Sequence, residues 1–180
     1  MPDKIFVKDR YFSPFITEEE IQSRISELAA QIRTDFAGIT PVFLGVLNGA
    51  FMFAADLMKY LEIECEITFV KLASYQGMSS TGAVKTALGL EANIEGRHVI
   101  VIEDIIDTGV TMKHFLKTLE AFKPASVAIM TLLWKKEAMK HELPIDYVGF
   151  EIPNKFVVGY GLDYDQIGRN WKDIYHLAED

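Results

Sequence analysis

The sequence predicts an α/β fold in which a parallel sheet is flanked by helices on both faces. Strand-like and helix-like segments alternate through the first two thirds of the chain, an arrangement typical of parallel sheets. Residues 98–102 are almost continuously apolar, as expected of a strand buried on both faces. The chain has 180 residues, of which 49% are hydrophobic, enough to form one domain with a substantial core.

The first predicted helix begins near Thr17. Thr17 and Glu20 have the spacing of a capping box, and Gly38 provides a stop signal. Between them, apolar residues recur every three or four positions, which is the period of an amphipathic helix; they are Ile21, Ile25, Leu28, Ala29, Ile32 and Phe36.

The same reasoning places the remaining elements. Helices are predicted over 51–61 and 110–122, and strands over 41–46, 65–70, 98–102, 126–133, 147–150 and 156–158. Residues 74–90 are small and polar with three glycines, and we expect a mobile functional loop there. The last strands have no long helix between them, so a single domain over 1–180 with a small hood subdomain around 146–180 is expected.

Composition narrows the functional classes. The formal net charge is −8, and no lysine or arginine cluster could follow a nucleic-acid backbone. No apolar run approaches the roughly 20 residues that cross a bilayer, and the amino-terminal residues lack the apolar stretch of a secretory signal. The single cysteine, Cys65, suits a reducing compartment, so a cytoplasmic location is expected. A small phosphorylated ligand remains compatible with this charge, because backbone amides and a metal can neutralise it.

Residues 99–111 carry the strongest functional signal. The predicted strand leads into Glu103 and Asp104, and a third acid, Asp107, precedes Thr108, Gly109, Val110 and Thr111 at the start of a helix. In parallel sheets, ligands bind at the carboxyl ends of strands, and a helix amino terminus attracts phosphate. The two adjacent acids would repel a phosphate, so they should face sugar hydroxyls or a metal. A sugar phosphate satisfies both demands; the alternative is a strand end with solvated acids and a capped helix.

This segment resembles the phosphoribosyl pyrophosphate signature of the type I phosphoribosyltransferases. Residues 42–177 are similar to the hypoxanthine-guanine phosphoribosyltransferases within that family. The resemblance implies that Glu103 and Asp104 hold the ribose hydroxyls and that residues 107–111 bind the 5′-phosphate. It also implies that Asp107 is the candidate general base, hydrogen-bonded to N7 of the purine.

The resemblance extends to the leaving group. It implies a pyrophosphate-binding turn with a cis peptide at Leu47, Asn48 and Gly49, and an arginine that reaches pyrophosphate at Arg169. Many family members have a basic residue where this chain has Asn48, so backbone N–H groups, Mg²⁺ and arginine should contribute more here. The 74–90 loop resembles a lid that closes over the reacting atoms with Ser74 and Tyr75.

The purine site is also implied by resemblance. Lys135 matches a lysine that donates to the 6-oxo group, Phe156 stacks on the base, and the Val157 backbone reads its edge. The resemblance also implies that Asp163 coordinates Mg²⁺, as Glu103 and Asp104 could. Without the resemblance, Lys135 would be interpreted as a surface lysine, and Phe156 and Val157 as core strand residues.

The implied activity is purine salvage: transfer of the 5-phosphoribosyl group to hypoxanthine or guanine, with Mg²⁺, in a homodimer or homotetramer. Xanthine or another base is an open alternative substrate. A regulator that keeps the fold and binds nucleotide or RNA without turnover is a second alternative. A signalling receiver domain is a third, but the strand over 42–46 leads to Asn48-Gly49 instead of the acidic pair that such a domain needs.

Overall fold

A computed structural model describes residues 2–72, 86–88 and 93–178. Its larger sheet has six strands in the order β5-β4-β3-β6-β7-β8. All of them except the edge strand β5 run parallel to one another. The predicted α/β class is therefore confirmed. The helices are α1 (Glu18–Asp35), α2 (Phe51–Leu61) and α3 (Val110–Glu120); the strands are β1 (Ile5–Val7), β2 (Arg10–Ile16), β3 (Val42–Leu47), β4 (Glu66–Leu72), β5 (Thr86–Leu88), β6 (His98–Ile106), β7 (Ser126–Trp134), β8 (Tyr147–Glu151), β9 (Val157–Val158) and β10 (Ile174–Leu177).

Helices cover both faces of this sheet. Helices α1 and α2 pack on one face, where Leu28 and Leu57 join the buried Phe43 of β3. Helix α3 packs on the other face, where Phe115 meets Val101 of β6. Successive residues of β3 and β6 point alternately into one cluster and then the other. These central strands are therefore apolar throughout.

The capping box predicted for α1 is present. The Glu20 backbone N–H donates to Thr17 Oγ1 at 3.2 Å, and the Thr17 backbone N–H donates to Glu20 Oε2 at 2.8 Å. The helix ends at Asp35, before Gly38, which has φ of +75°. No helix among the described residues is both long and apolar enough to span a membrane.

The hood is a second, four-stranded antiparallel sheet in the order β1-β2-β10-β9. The prediction confined the hood to 146–180, but half of its strands come from the amino terminus, and β8 belongs to the main sheet. Strand β2 pairs with β10, more than 150 residues later, and such distant pairing leaves no local pattern in the sequence. Strand β8 joins β7 in parallel through a connection with only a short 3-10 helix, Lys136–Ala138, so the missing long helix did not mark a separate subdomain.

Two other boundaries differ from the prediction. Residues 86–88, expected within a loop over 74–90, form strand β5, which pairs with β4 in antiparallel fashion. Strand β6 continues to Ile106, so Glu103 and Asp104 lie inside the strand and not beyond its end. The main chain of Glu103 pairs with Thr131 of β7, and this backbone pairing is independent of side-chain polarity. The proposed lid residues Ser74 and Tyr75 lie outside the described residues.

Candidate active site

The turn after β3 is built against the acids of β6. The peptide between Leu47 and Asn48 is cis, as the resemblance implied. Gly49 is buried, and a Cβ atom at that position would overlap the Asp104 carboxylate. Only glycine therefore allows this turn to approach Asp104 so closely.

Glu103 and Asp104 form a coupled pair of carboxyl groups. Removal from bulk water and the neighbouring Asp104 raise the pKa of Glu103 well above its ordinary value, and burial also raises the pKa of Asp104. Both carboxyls are thus less readily ionised in the free protein than ordinary surface acids. Sugar hydroxyls, which can donate hydrogen bonds to the carboxylates, or a cation would stabilise the ionised form and bind there favourably.

These acids line a cavity of about 230 Å³ together with the turn and a carboxy-terminal arginine. Its lining residues come from five separate parts of the chain: Val46, Leu47, Asn48, Gly49, Leu72, Glu103, Asp104, Thr111, Asp163 and Arg169. The structure therefore brings the predicted pyrophosphate turn, ribose-binding acids, Asp163 and Arg169 together in one place.

A second cavity of about 170 Å³ lies along the predicted phosphate loop, which includes Asp107, Thr108, Gly109, and Thr111. Glu103 and Thr111 line both cavities, so the two are adjacent. Gly109 has φ of +76°, a conformation that favours glycine. The loop precedes the 11-residue helix α3, whose amino terminus provides free N–H groups for an anion.

Lys135 differs most clearly from the prediction based on residue type alone, which was a surface lysine. Its side chain is 9% exposed, and its Nζ donates to Asp107 Oδ2 at 3.1 Å. The residue follows β7, and its backbone N–H donates to Ile106 O at 2.9 Å. Lys135 is therefore not a surface lysine. The ion pair holds this predicted purine-binding lysine directly beside Asp107, the predicted general base.

Arg169 and Asp163 form a tightly held pair at the other side of the first cavity. The Arg169 guanidinium lies 2.6 Å from Asp163 Oδ1 and donates to Gly161 O at 2.7 Å. The second oxygen of Asp163 accepts from the Gln166 backbone N–H at 2.7 Å. These contacts fix the orientation of the guanidinium before any ligand is bound.

Phe156 and Val157 lie outside the lining of both cavities. Phe156 is 47% exposed, and its ring contacts Phe12 and Tyr164 of the hood. Val157 is buried in β9, paired with His176. Phe156 is therefore not the core residue that its type suggested, and part of its ring surface is free to contact a ligand.

The acids suit a magnesium ion held jointly with substrate. Among the described residues, no cluster of three or more histidine, cysteine, aspartate or glutamate side chains could form a complete metal cage. Mg²⁺ commonly uses one or two carboxylates plus phosphate oxygens and water. One or two of the carboxylates of Glu103, Asp104 and Asp163, which line the same cavity, fit that mode of binding.

Sequence reasoning missed several residues that shape this site. Val46, the last residue but one of β3, and Leu72, the last residue of β4, both line the first cavity. Their aliphatic side chains gave no functional signal in the sequence. Tyr160 and Asp56, which are hydrogen-bonded to each other at 2.6 Å, support the segment before Asp163. The sequence Gly159-Tyr160-Gly161 was the available sign of an unusual backbone there.

Known proteins are similar to this chain in both sequence and fold. Residues 17–165 match the phosphoribosyl transferase domain family. The chain is 44% identical to a hypoxanthine-guanine-xanthine phosphoribosyltransferase from Tritrichomonas foetus over 90% of this chain and 89% of that one. It is 39% identical to a hypoxanthine-guanine phosphoribosyltransferase from Aquifex aeolicus over 97% and 98% of the two chains.

A solved structure agrees with these relatives. The crystal structure of a hypoxanthine-guanine phosphoribosyltransferase from Bacillus anthracis has a TM-score of 0.87 and 40% sequence identity, covering 96% of this chain and all of that chain. The family model spans most of the chain, and the relatives are aligned over nearly their full lengths. The chain therefore belongs to the type I phosphoribosyltransferases, in the group of the hypoxanthine-guanine phosphoribosyltransferases.

Proposed function

We propose that this chain transfers the 5-phosphoribosyl group of phosphoribosyl pyrophosphate to hypoxanthine or guanine, forming inosine or guanosine monophosphate and pyrophosphate. The observation that carries the proposal is the meeting of the 47–49 turn, the Glu103–Asp104 pair and Arg169 around one cavity, next to the loop that opens α3. A bound sugar carrying a phosphate and a pyrophosphate needs these three kinds of contact at once.

The acids and the loop would bind the sugar phosphate. Glu103 and Asp104 can accept hydrogen bonds from the 2′ and 3′ hydroxyls, while Thr108 and Thr111 can donate to the 5′-phosphate. Backbone N–H groups at the start of α3 add a favourable dipole. This division keeps the phosphate at the loop, away from the negative carboxylates.

The leaving group would lie between the turn and Arg169. Since Asn48 is uncharged, the Arg169 guanidinium and the N–H groups of the turn supply the contacts that a basic side chain at Asn48 would otherwise share. Asp163, with Glu103 or Asp104, would hold Mg²⁺, whose positive charge would offset the negative charge of pyrophosphate.

The base would be oriented by the Lys135–Asp107 pair. In the transfer, a bond forms between the purine N9 and C1 of the ribose while the bond from C1 to pyrophosphate breaks, and the N7 proton of the purine passes to the Asp107 carboxylate. Asp107 accepts a hydrogen bond from N7–H and so stabilises the positive charge that develops on the purine. Lys135 donates to a 6-oxo oxygen, and it would meet a competing donor in the 6-amino group of adenine.

Closure of the lid that carries Ser74 and Tyr75 would exclude water from a transition state with oxocarbenium character. Ser74 and Tyr75 remain the proposed lid residues. Phe156 would stack on the purine from the hood, with the Val157 backbone at its edge.

Nucleotide formation tests this proposal. The purified protein is incubated with phosphoribosyl pyrophosphate and Mg²⁺, hypoxanthine, guanine, xanthine and adenine are supplied separately, and absorbance is followed. We expect turnover of hypoxanthine and guanine and none of adenine. Tight nucleotide binding without turnover of any base would instead support a regulatory protein. Xanthine is included because one relative, from Tritrichomonas foetus, has xanthine in its name.

A further inference from the structure

A hydrogen bond joins helix α2 to the segment that carries Asp163 and Arg169. Tyr160 is 1% exposed, and its hydroxyl donates to Asp56 Oδ2 at 2.6 Å. The same Asp56 oxygen accepts from Gln22 Nε2 of α1 at 2.6 Å, and its other oxygen accepts from Lys59 at 2.6 Å. The carboxylate thus joins both helices to the segment that carries Asp163 and Arg169.

Tyr160 has an uncommon backbone conformation. Its φ is +49°, and Gly159 and Gly161 on either side have φ of +95° and +96°. Among the described residues, the other non-glycine positions with positive φ are all exposed, whereas Tyr160 is buried. A residue with a bulky side chain is disfavoured in this region, so its surroundings must hold it there.

This conformation directs the backbone toward the pyrophosphate turn. A Cβ atom on Gly161 would overlap the carbonyl oxygen of Gly49, so the two segments touch. Gly161 exchanges two hydrogen bonds with Arg169: its N–H donates to Arg169 O at 2.9 Å, and its carbonyl accepts from the guanidinium at 2.7 Å. Any shift at Tyr160 would therefore move both the turn and the arginine.

We propose that Tyr160 and Asp56 are positioning residues for pyrophosphate: their hydrogen bond holds the left-handed segment 159–161 against the 47–49 turn and orients Arg169. This inference rests on the proposed function, since it concerns the same cavity. Neither side chain lines the cavity, so both act through Gly161 and Arg169. The chain compensates in this way for an uncharged Asn48, because a well-oriented arginine takes over contacts that a basic side chain at that position would make.

The test compares Tyr160→Phe with a matched control, Tyr147→Phe. Tyr147 is also buried and donates its hydroxyl to an aspartate, Asp35, at 2.7 Å. It is the first residue of β8. It therefore lies at the amino-terminal end of the parallel strands, whereas the cavities lie at their carboxyl ends. Each substitution removes one part-buried Tyr–Asp hydrogen bond and retains the ring, so the losses in thermal stability should be similar.

We expect Tyr160→Phe to raise KM for phosphoribosyl pyrophosphate by roughly fivefold or more, with KM for hypoxanthine near the wild-type value. Hydrogen exchange in residues 159–171 should also become faster, because the Gly161 and Tyr160 amides bond within this segment. Tyr147→Phe should leave KM and exchange there unchanged.

A double variant shows whether the two residues act as one unit. Asp56→Ala should raise the same KM, and adding Tyr160→Phe should raise it little further, because the shared bond is already lost. Wild-type KM and wild-type exchange in Tyr160→Phe would overturn the inference while leaving the proposed function intact. An inactive wild-type protein would instead refute the proposed function. The exchange measurement would still test whether the Tyr160–Asp56 hydrogen bond holds the segment 159–161 in place.

Discussion

The two halves of the site are built in different ways. The side predicted to bind the sugar phosphate comes from one continuous stretch, from Glu103 in β6 to Thr111 in α3. The side predicted to bind the base and pyrophosphate is assembled from β3, β7 and the segment around 156–169, next to a hood whose strands come from both ends of the chain.

This difference separates local from long-range determinants. In the continuous half, a strand, an acidic pair and a helix start are enough to define the chemistry. In the assembled half, each side chain depends on partners far away in sequence: Lys135 on Asp107, and Tyr160 on Asp56. Substitutions in the first half should therefore affect activity directly, and those in the second should also affect geometry and stability.

The largest effect is expected for Asp107→Ala. Losing the hydrogen bond to N7 should lower kcat by roughly 10²–10⁴-fold, and Lys135 would lose its partner. Asp107 is 48% exposed on its side chain, so water can replace much of the lost pairing and the protein should still fold. Steady-state kinetics and circular dichroism check this, with Glu120→Ala, an exposed acid at the end of α3, as the control. Full activity would remove Asp107 from the mechanism.

Gly49→Ala should have the next largest effect. The new methyl group would overlap the Asp104 carboxylate, so the turn or the acid must move, and we expect kcat/KM for phosphoribosyl pyrophosphate to fall by about a hundredfold, in line with misplacement of a catalytic group. Gly45→Ala is the control, because its methyl group would crowd the partly exposed ring of Phe69, at 2.6 Å, instead of the Asp104 carboxylate. Equal losses in both variants would contradict a specific role for the turn.

Lys135→Gln tests recognition of the base. Losing a hydrogen bond from a charged donor costs about 1.5–3 kcal/mol, so kcat/KM for hypoxanthine should fall roughly 10- to 150-fold. The neighbouring Lys136, whose side chain is 60% exposed, provides the control Lys136→Gln. An unchanged preference for hypoxanthine over adenine in Lys135→Gln would show that the lysine does not select the 6-oxo group.

The smallest effect is a change in acid stability at Asp56. Burial raises the pKa of Asp56, but hydrogen bonds from Lys59, Tyr160 and Gln22 outweigh burial and leave the pKa below its ordinary value. The resulting stabilisation is fully present above the unfolded pKa of about 3.9 and is lost as pH falls through the lower folded pKa. Asp56→Asn should therefore flatten the fall in unfolding free energy below about pH 4, as measured by denaturation in urea. An identical slope in the variant would contradict this assignment.

The sequence predicted most of the main sheet, and the residues of the continuous half of the candidate site could be proposed from it. Residues 99–111 include their own apolar strand, acids and helix start, so local rules apply. The capping box of α1 was predicted for the same reason, because both of its residues lie within one turn. Only the strand's end was placed too early, since backbone pairing with β7 continues through the acids.

The assembled half was beyond local reasoning. Lys135 is buried because β7 ends beside Asp107, a contact that its own neighbours in sequence do not indicate. The amino-terminal strands of the hood were missed because β2 pairs with β10 at the far end of the chain. Family resemblance supplied roles for Lys135 and Phe156, but the support from Tyr160 and Asp56 required the three-dimensional structure.

The most direct test of this division is a crossed comparison of KM values. Thr108→Val removes a hydroxyl from the phosphate loop, and Phe156→Ala removes a half-exposed ring next to the hood. We predict that Thr108→Val raises KM for phosphoribosyl pyrophosphate alone, whereas Phe156→Ala raises KM for hypoxanthine by roughly five- to 150-fold, the range for lost base stacking. If both variants raised the same KM, or if Phe156→Ala left KM for hypoxanthine unchanged, the division between the two halves of the site would be wrong.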